Sequence, residues 1–486
     1  MNYKKYKILI PLLCIQISLL ASCGKATAND TNKETDTSNT AATAETVDTG
    51  IADPVPAIDF GGTEFIILTS DSTTQHTVTA YNEQVGEILD DTMYSRTKAI
   101  EEKFNLTFLN DHVAATVADS LSLFRNSVSA GDNAYDLAML LERNAFSITQ
   151  EGCFYDIASL PYVDLTQPWW FGEVNNTINL SDKTYLSYGC VNLGLYDMMH
   201  VLLFNKDMQN RLDLENPYDL VIEGTWTLDK MAEMARAAIS DASGDGTWGR
   251  EDIYGFVGGS NTTVVDFLAA ARVRTIAVDN KKNVEIRLIS DPKIEEIYSK
   301  VADLFWEPGF WWTKSESSNN YYLTDTFFQT DQALFADHTL YSVGLLRDMQ
   351  SDYGIIPFPK FDADQKEYGT MAEAGTRTMT VPVTIENPDM IGAVLETLNF
   401  LSYRDVMPAY YETTLKQKYS RDSVSAQMLD IITENVFYDL GDTMFNDKVK
   451  DGLFAAMFKK NMRDYVSRAS KTLKSLETDI QKAKGE

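Results

Sequence analysis

Asp241, Ser243, Asp245, Thr247 and Asp252 occupy positions 1, 3, 5, 7 and 12 of the stretch DASGDGTWGRED, with Gly246 at position 6. This spacing is close to that of a calcium loop, where carboxylate and hydroxyl oxygens and one backbone carbonyl surround a hard cation. The ligands would be the carboxylates of Asp241, Asp245 and Asp252, the Ser243 hydroxyl and the Thr247 carbonyl. Position 12 is Asp rather than a bidentate Glu, which weakens such a site. A calcium sensor also needs a helix after the loop, whereas Ile253–Val257 reads as a strand. The loop is therefore a structural part. It either holds calcium or closes as an Asp/Gly turn.

Two tryptophan pairs form the next group, Trp169-Trp170 and Trp311-Trp312. Flat rings stack on the C–H faces of a sugar, and nearby Asp, Glu, Asn or Arg take its hydroxyls. Adjacent tryptophans cannot both face the core of a regular element. One of each pair is then available to ligand, cleft edge or partner, and packing between loops is the competing reading. Trp226, at a helix start, reads as core.

Other chemistry has no signature. The four histidines, His76, His112, His200 and His338, have no zinc spacing. There is no G-x-S-x-G, no phosphate-binding P-loop and no H-E-x-x-H. Paired carboxylates arise by chance among 71 acidic residues, so they do not indicate a glycosidase. No required cofactor is implied.

The chain starts with a short basic stretch, then a run of apolar residues from Ile8 to Leu20. The run is too short for a membrane span and reads as a secretory signal over residues 1–22. Leu20-Ala21-Ser22-Cys23 resembles a bacterial lipoprotein cleavage box, with Cys23 as the lipidated residue. Residues 23–57 are rich in Thr, Ala, Asp, Asn and Glu and cannot bury a core, so they read as a tether. The expected location is the outer face of the cytoplasmic membrane, held by lipid alone. Cys153 and Cys190 remain, either as a disulfide or as buried thiols. The net charge of −29 excludes nucleic acid as a natural partner.

The roughly 430 remaining residues exceed one ordinary core, so two lobes are expected. Residues 63–69, 106–109 and 135–141 read as strands and alternate with helices around 88–104 and 117–128. This is the order of an α/β lobe. Ligands in such sheets sit beyond the carboxyl ends of strands, which singles out Ser70, Asp71, Glu142 and Arg143. A second unit opens with the strand 201–204 and a helix capped by Thr227. Further strands are expected at 253–257, 333–336 and 354–360, with helices at 262–273 and 291–305 and a mostly helical end.

In order along the chain, the stretches IEEKFNL (100–106), AGDNAYD (130–136), FNKD (204–207), GTWTLD (224–229), YGF (254–256), ALF (333–335) and GIIPFPK (354–360) resemble the extracellular solute-binding proteins of sugar-type ABC importers, the family that includes maltose-binding protein. The resemblance implies a two-lobed α/β fold of the type II periplasmic-binding-protein kind. Each lobe is a sheet flanked by helices, and the lobes are joined by hinge crossings. It implies a first lobe of 58–195 plus 331–375 and a second of 196–330 plus 376–486, with Ala333–Asp337 returning to the first lobe. It adds Asp197, Asn261, Asp337, His338 and Tyr438 as candidate ligand contacts. The implied function is capture of a carbohydrate by a monomer that delivers it to an ABC permease. Two alternatives stay open: a binder of another solute such as a peptide, and an anchored carbohydrate-active enzyme.

Overall fold

The computed structural model describes residues 52–70, 83–109, 113–259, 262–312, 322–346, 348–373, 375–412 and 421–485. Cys23, Asp71 and Asn261 lie outside them.

The first sheet is built on the Thr63–Ser70 strand. It pairs in parallel with Leu106–Leu109, Val113–Ala114 and Leu137–Leu141, and Arg377–Thr380 adds an antiparallel edge beside Leu137–Leu141. The connecting helices follow from local chemistry. Ile88–Phe104 buries Leu89, Met93, Ile100 and Phe104 on one face, and it ends where Asn105 turns left-handed at φ 46°. Val117–Ala130 starts where the Thr116 hydroxyl accepts the Asp119 N–H and stops at Gly131, φ 65°. The helix Pro388–Leu401 is buried along nearly its whole length and packs into the core of this sheet.

The second sheet runs Tyr353–Ile356, His200–Asn205, Ala333–Thr339, Tyr254–Val257 and Trp311–Trp312. Its two central strands are buried at every residue. Their apolar stretches Val201–Phe204 and Ala333–Ala336 are the mark of strands covered on both sides. The Thr227-capped helix Leu228–Ala238 covers part of it, with Leu228, Met231, Met234, Ala235 and Ala238 inward. Trp226 is fully buried there, its indole N–H donating to the Pro357 carbonyl at 3.0 Å.

The pairing corrects one expectation. Ala333–Thr339 does not return to the first sheet; it lies antiparallel to His200–Asn205 at the centre of the second. The strand that returns is Arg377–Thr380. Ala333–Thr339 and Tyr353–Ile356 thus build on the second sheet, Thr370-Met371 pairs apart from both with Val436-Phe437, and Pro388–Leu401 packs on the first. The strands Ala333–Thr339 and Arg377–Thr380 are both short and mostly buried, and a short run does not encode which distant strand will pair with it.

Between the sheets the chain crosses through Asp197–Met199, through Ala372–Thr376 and again after Leu401. The first two crossings lie side by side: Met199 bridges Ala372, and the Glu373 N–H donates to the Met198 carbonyl at 2.8 Å. The helical end is interrupted: a π-helical turn Lys450–Ala455 and the short α-helix Ala456–Lys459 precede the long helix Tyr465–Lys484. Among the described residues no helix is long and apolar enough to cross a membrane.

Candidate functional site

The carboxyl ends of the first sheet bring three polar residues to one edge. Ser70 ends its strand and is buried; its Oγ accepts from Arg377 Nε at 3.1 Å. Glu142 follows Leu141 directly, in the first turn of the helix Glu142–Ser147, and is fully buried. Arg143, next in that turn, is half-buried.

Glu142 is the meeting point of the two halves. Its Oε2 accepts from the hydroxyls of Tyr188 and Tyr438, each at 2.6 Å, and from Thr376 Oγ1 at 3.1 Å. Tyr188 and Thr376 belong to the first-sheet side and the adjoining crossing. Tyr438 is held from the other side. Val436-Phe437 pairs with Thr370-Met371, and Asp439 accepts from the backbone of Thr275 and Ile276. Burial pushes the Glu142 carboxyl up, while the three hydroxyls pull it down. Burial, and then the Glu142 charge, hold both tyrosines well above the usual phenol range. They therefore act as donors. Hydrogen bonds from neutral hydroxyls to a carboxylate are charge-assisted and stronger than neutral pairs, so this cluster is held firmly.

Asp197 lies at a crossing, fully buried, and its Oδ1 accepts from the Tyr410 hydroxyl at 2.9 Å. It ties two of the three crossings together. Asp337 sits on the central strand of the second sheet, where its Oδ1 meets His200 Nδ1 at 2.8 Å. His338 is buried too, but strand alternation turns it to the opposite face, near the Phe328 ring. Among the described candidates, Ser70, Glu142, Asp197 and Tyr438 gather at the seam and crossings. Asp337 lies at the near end of the second sheet.

The tryptophan pairs are placed otherwise. Trp169 and Trp170 are 1% and 4% exposed, beneath the helix Pro388–Leu401. Both indole N–H groups donate to one carboxylate, Glu396, at 3.0 and 2.9 Å. The expected ligand role of this pair is corrected: a buried acceptor satisfies two adjacent indoles, so neither has to face outward. Trp311 is buried against Phe256 and Phe305, and its N–H reaches the Gly258 carbonyl at 3.4 Å. It too packs in the second core rather than presenting a face to the seam. Trp312 is the second residue of that short edge strand.

In the Asp/Gly loop the carboxylates are turned onto the loop itself. Asp241 accepts from the N–H groups of Gly244 and Gly246, at 2.7 and 2.9 Å, and from the Ser243 hydroxyl. Asp245 Oδ1 accepts from the Thr247 N–H and hydroxyl, and Asp252 from the N–H groups of Ser243 and Gly249. Gly244 and Gly246 take left-handed backbone, which their lack of a Cβ permits. The loop is closed by its own hydrogen bonds. Cys153 and Cys190 are both free thiols, buried in different cores.

Sequence reasoning missed Tyr188, Thr376 and Arg377 at the seam, and His200, Asp266, Glu373, Asp442 and Lys450 behind it. One signal was present: Asp266 is the only charged residue in the apolar helix Thr263–Ala270. The others sit in ordinary polar text.

No protein-family model matches the chain, and no curated protein matches it in sequence. Solved structures do. A sugar transporter of Rhizobium etli in an open conformation is 14% identical, with a TM-score of 0.56 over 85% of this chain and 99% of that one. A family 1 extracellular solute-binding protein of Bifidobacterium longum subsp. infantis is 13% identical, with a TM-score of 0.55 over 85% and 100%. The GacH receptor of Streptomyces glaucescens, solved unliganded and with acarbose, is 10% identical, with a TM-score of 0.54 over 86% and 99%. The chain has the two-lobed α/β fold of the extracellular solute-binding proteins.

Proposed function

We propose that this protein is an extracytoplasmic receptor that closes on a carbohydrate and hands it to an ABC permease. The observation that carries the reading is Glu142. It stands at the carboxyl end of a first-sheet strand, yet a hydroxyl from the second side of the seam donates to it. A solute with several hydroxyls fits between such partners, because it can donate to the carboxylate and accept from Tyr188, Tyr438 and Arg377. Binding then favours the closed form by its contacts to both lobes. Structural neighbours named for sugars and for acarbose support this ligand class. In this reading the lobes form around the two sheets, and Asp197–Tyr410 braces the hinge.

The leader, the lipidated Cys23 and the tether complete the proposal. The receptor stands on the outer face of the cytoplasmic membrane as a monomer and performs no chemistry on its ligand. Titration calorimetry against a panel of mono- and oligosaccharides, with chromatography of the mixture afterwards, tests it. Saturable binding with the sugar recovered intact is expected. Release of cleaved product would replace the receptor reading with an enzyme, and binding of peptides but no sugar would change the ligand class. Mass spectrometry of the N-terminal peptide from membranes tests the Cys23 lipid.

A further inference from the structure

A second concentration of buried charge lies behind the seam. His200 opens one central strand of the second sheet. Asp337 lies diagonally across from it on the neighbouring strand and the same face, since Asp337 is opposite Leu202 and Thr339 is opposite His200. Asp266 projects toward them from the helix Thr263–Ala270. His200 Nδ1 is 2.8 Å from Asp337 Oδ1 and 3.3 Å from Asp266 Oδ1. One ligand atom from each residue lies within 4.8 Å of the other two, and all three side chains are buried, at 1%, 1% and 4% exposure for His200, Asp266 and Asp337.

Two further observations point to a ligand. Neither carboxylate oxygen of Asp266 has a hydrogen-bond partner, nor has Asp337 Oδ2. Buried carboxylate oxygens seldom go unpaired, because desolvation is costly. Acidic groups also concentrate here: among the described residues Glu373 and Asp442 lie beside Asp266, Asp337 and His200, and Lys450 is 3.5 Å from Glu373 and 3.4 Å from Asp442. A cation removes charge and supplies the missing partner together.

We propose that His200 Nδ1, Asp266 and Asp337 bind a first-row transition dication, with zinc the best fit. Imidazole selects for zinc over calcium or magnesium, and a shell of three small N/O ligands is too sparse for calcium. Glu373 lies 3.7 Å from His200 Nε2, on the far side of the ring from Nδ1 and beyond hydrogen-bond distance. Three protein ligands leave one position of a tetrahedral shell for water.

The test uses the purified chain, stripped with a chelator and retitrated with zinc by calorimetry. Bound metal is counted by mass spectrometry, and cobalt serves as a spectroscopic probe. One ion per chain is expected, with a tetrahedral visible spectrum from cobalt. Asp266→Asn and His200→Gln should each weaken zinc binding at least about tenfold. Circular dichroism in chelator shows whether each variant is folded. The cobalt spectrum of the unaltered chain decides the matter if neither is. Substoichiometric zinc, a cobalt spectrum without tetrahedral bands, or full-affinity binding by both folded variants would overturn the proposal. So would a stripped chain that takes up no zinc and gains stability on acidification, since protons would then do the compensating. No sugar enters these measurements, so their failure is separate from failure of the receptor reading.

Discussion

The Tyr438 hydroxyl donates to Glu142 Oε2 at 2.6 Å, and both residues are buried. This bond spans the seam between the chain's two halves. Tyr438→Phe deletes it without changing the ring. The closed form should lose about 1 kcal/mol, roughly a fivefold fall in its population relative to the open form. Small-angle scattering should record a larger radius of gyration without ligand, and calorimetry a weaker saccharide affinity. An unchanged radius and affinity would remove this contact from the closure.

Trp169 and Trp170 share Glu396 as acceptor. Their role is stability. Replacing either by Ala should cost about 3–5 kcal/mol in chemical denaturation, the range for emptying a large aromatic site. Glu396→Ala leaves two buried indole donors unpaired, at about 1–3 kcal/mol each. Ligand affinity of the folded fraction should stay within about twofold, since a tenfold loss, about 1.4 kcal/mol, is what a stacking site would show.

Burial pushes the Asp136 carboxyl up to about 6, against the lowering by the Ile66 N–H at 2.7 Å. Between its ordinary value and about 6 the folded chain holds this proton more tightly than the unfolded chain does. Its contribution is therefore complete below the ordinary carboxyl range and lost as pH rises to about 6. Burial places Asp442 at about 6 as well, so it adds to the same window. Asp136→Asn keeps an oxygen for the Ile66 N–H and removes one titration. Urea midpoints measured from pH 4 to 6 should fall less steeply with rising pH in the variant. An identical slope would show that Asp136 does not titrate there.

Hydrogen bonds from the Gly249 and Ser243 backbone hold the Asp252 carboxyl below its usual range. Asp252→Ala should therefore lower the melting temperature, and to the same extent in calcium and in chelator. If calcium raises the melting temperature of the unaltered chain but not of the variant, the loop binds the ion after all.

Much of this molecule was readable from local text. The Thr227 cap, the helix Ile88–Phe104 and the buried strand Leu137–Leu141 follow from periodicity and end signals that act over a few residues. The place of Glu142 directly after the strand Leu137–Leu141 was legible, because a buried apolar run marks its own end. Trp169-Trp170 was misread because its answer, Glu396, lies 227 and 226 residues away. Local spacing carries no information about so distant an acceptor.

The sequence by itself determined the elements, the α/β class and the acidic surface, since these depend on residue type and short-range pattern. Only the tertiary structure decided that Ala333–Thr339 joins the second sheet and that Arg377–Thr380 closes the first. It alone brought Tyr188, Thr376 and Tyr438 onto Glu142, and His200, Asp266 and Asp337 onto one another. The physical reason is common to all of these. Strand pairing and buried polar partnership are chosen by packing among residues far apart in the chain, where register and desolvation act on the folded whole.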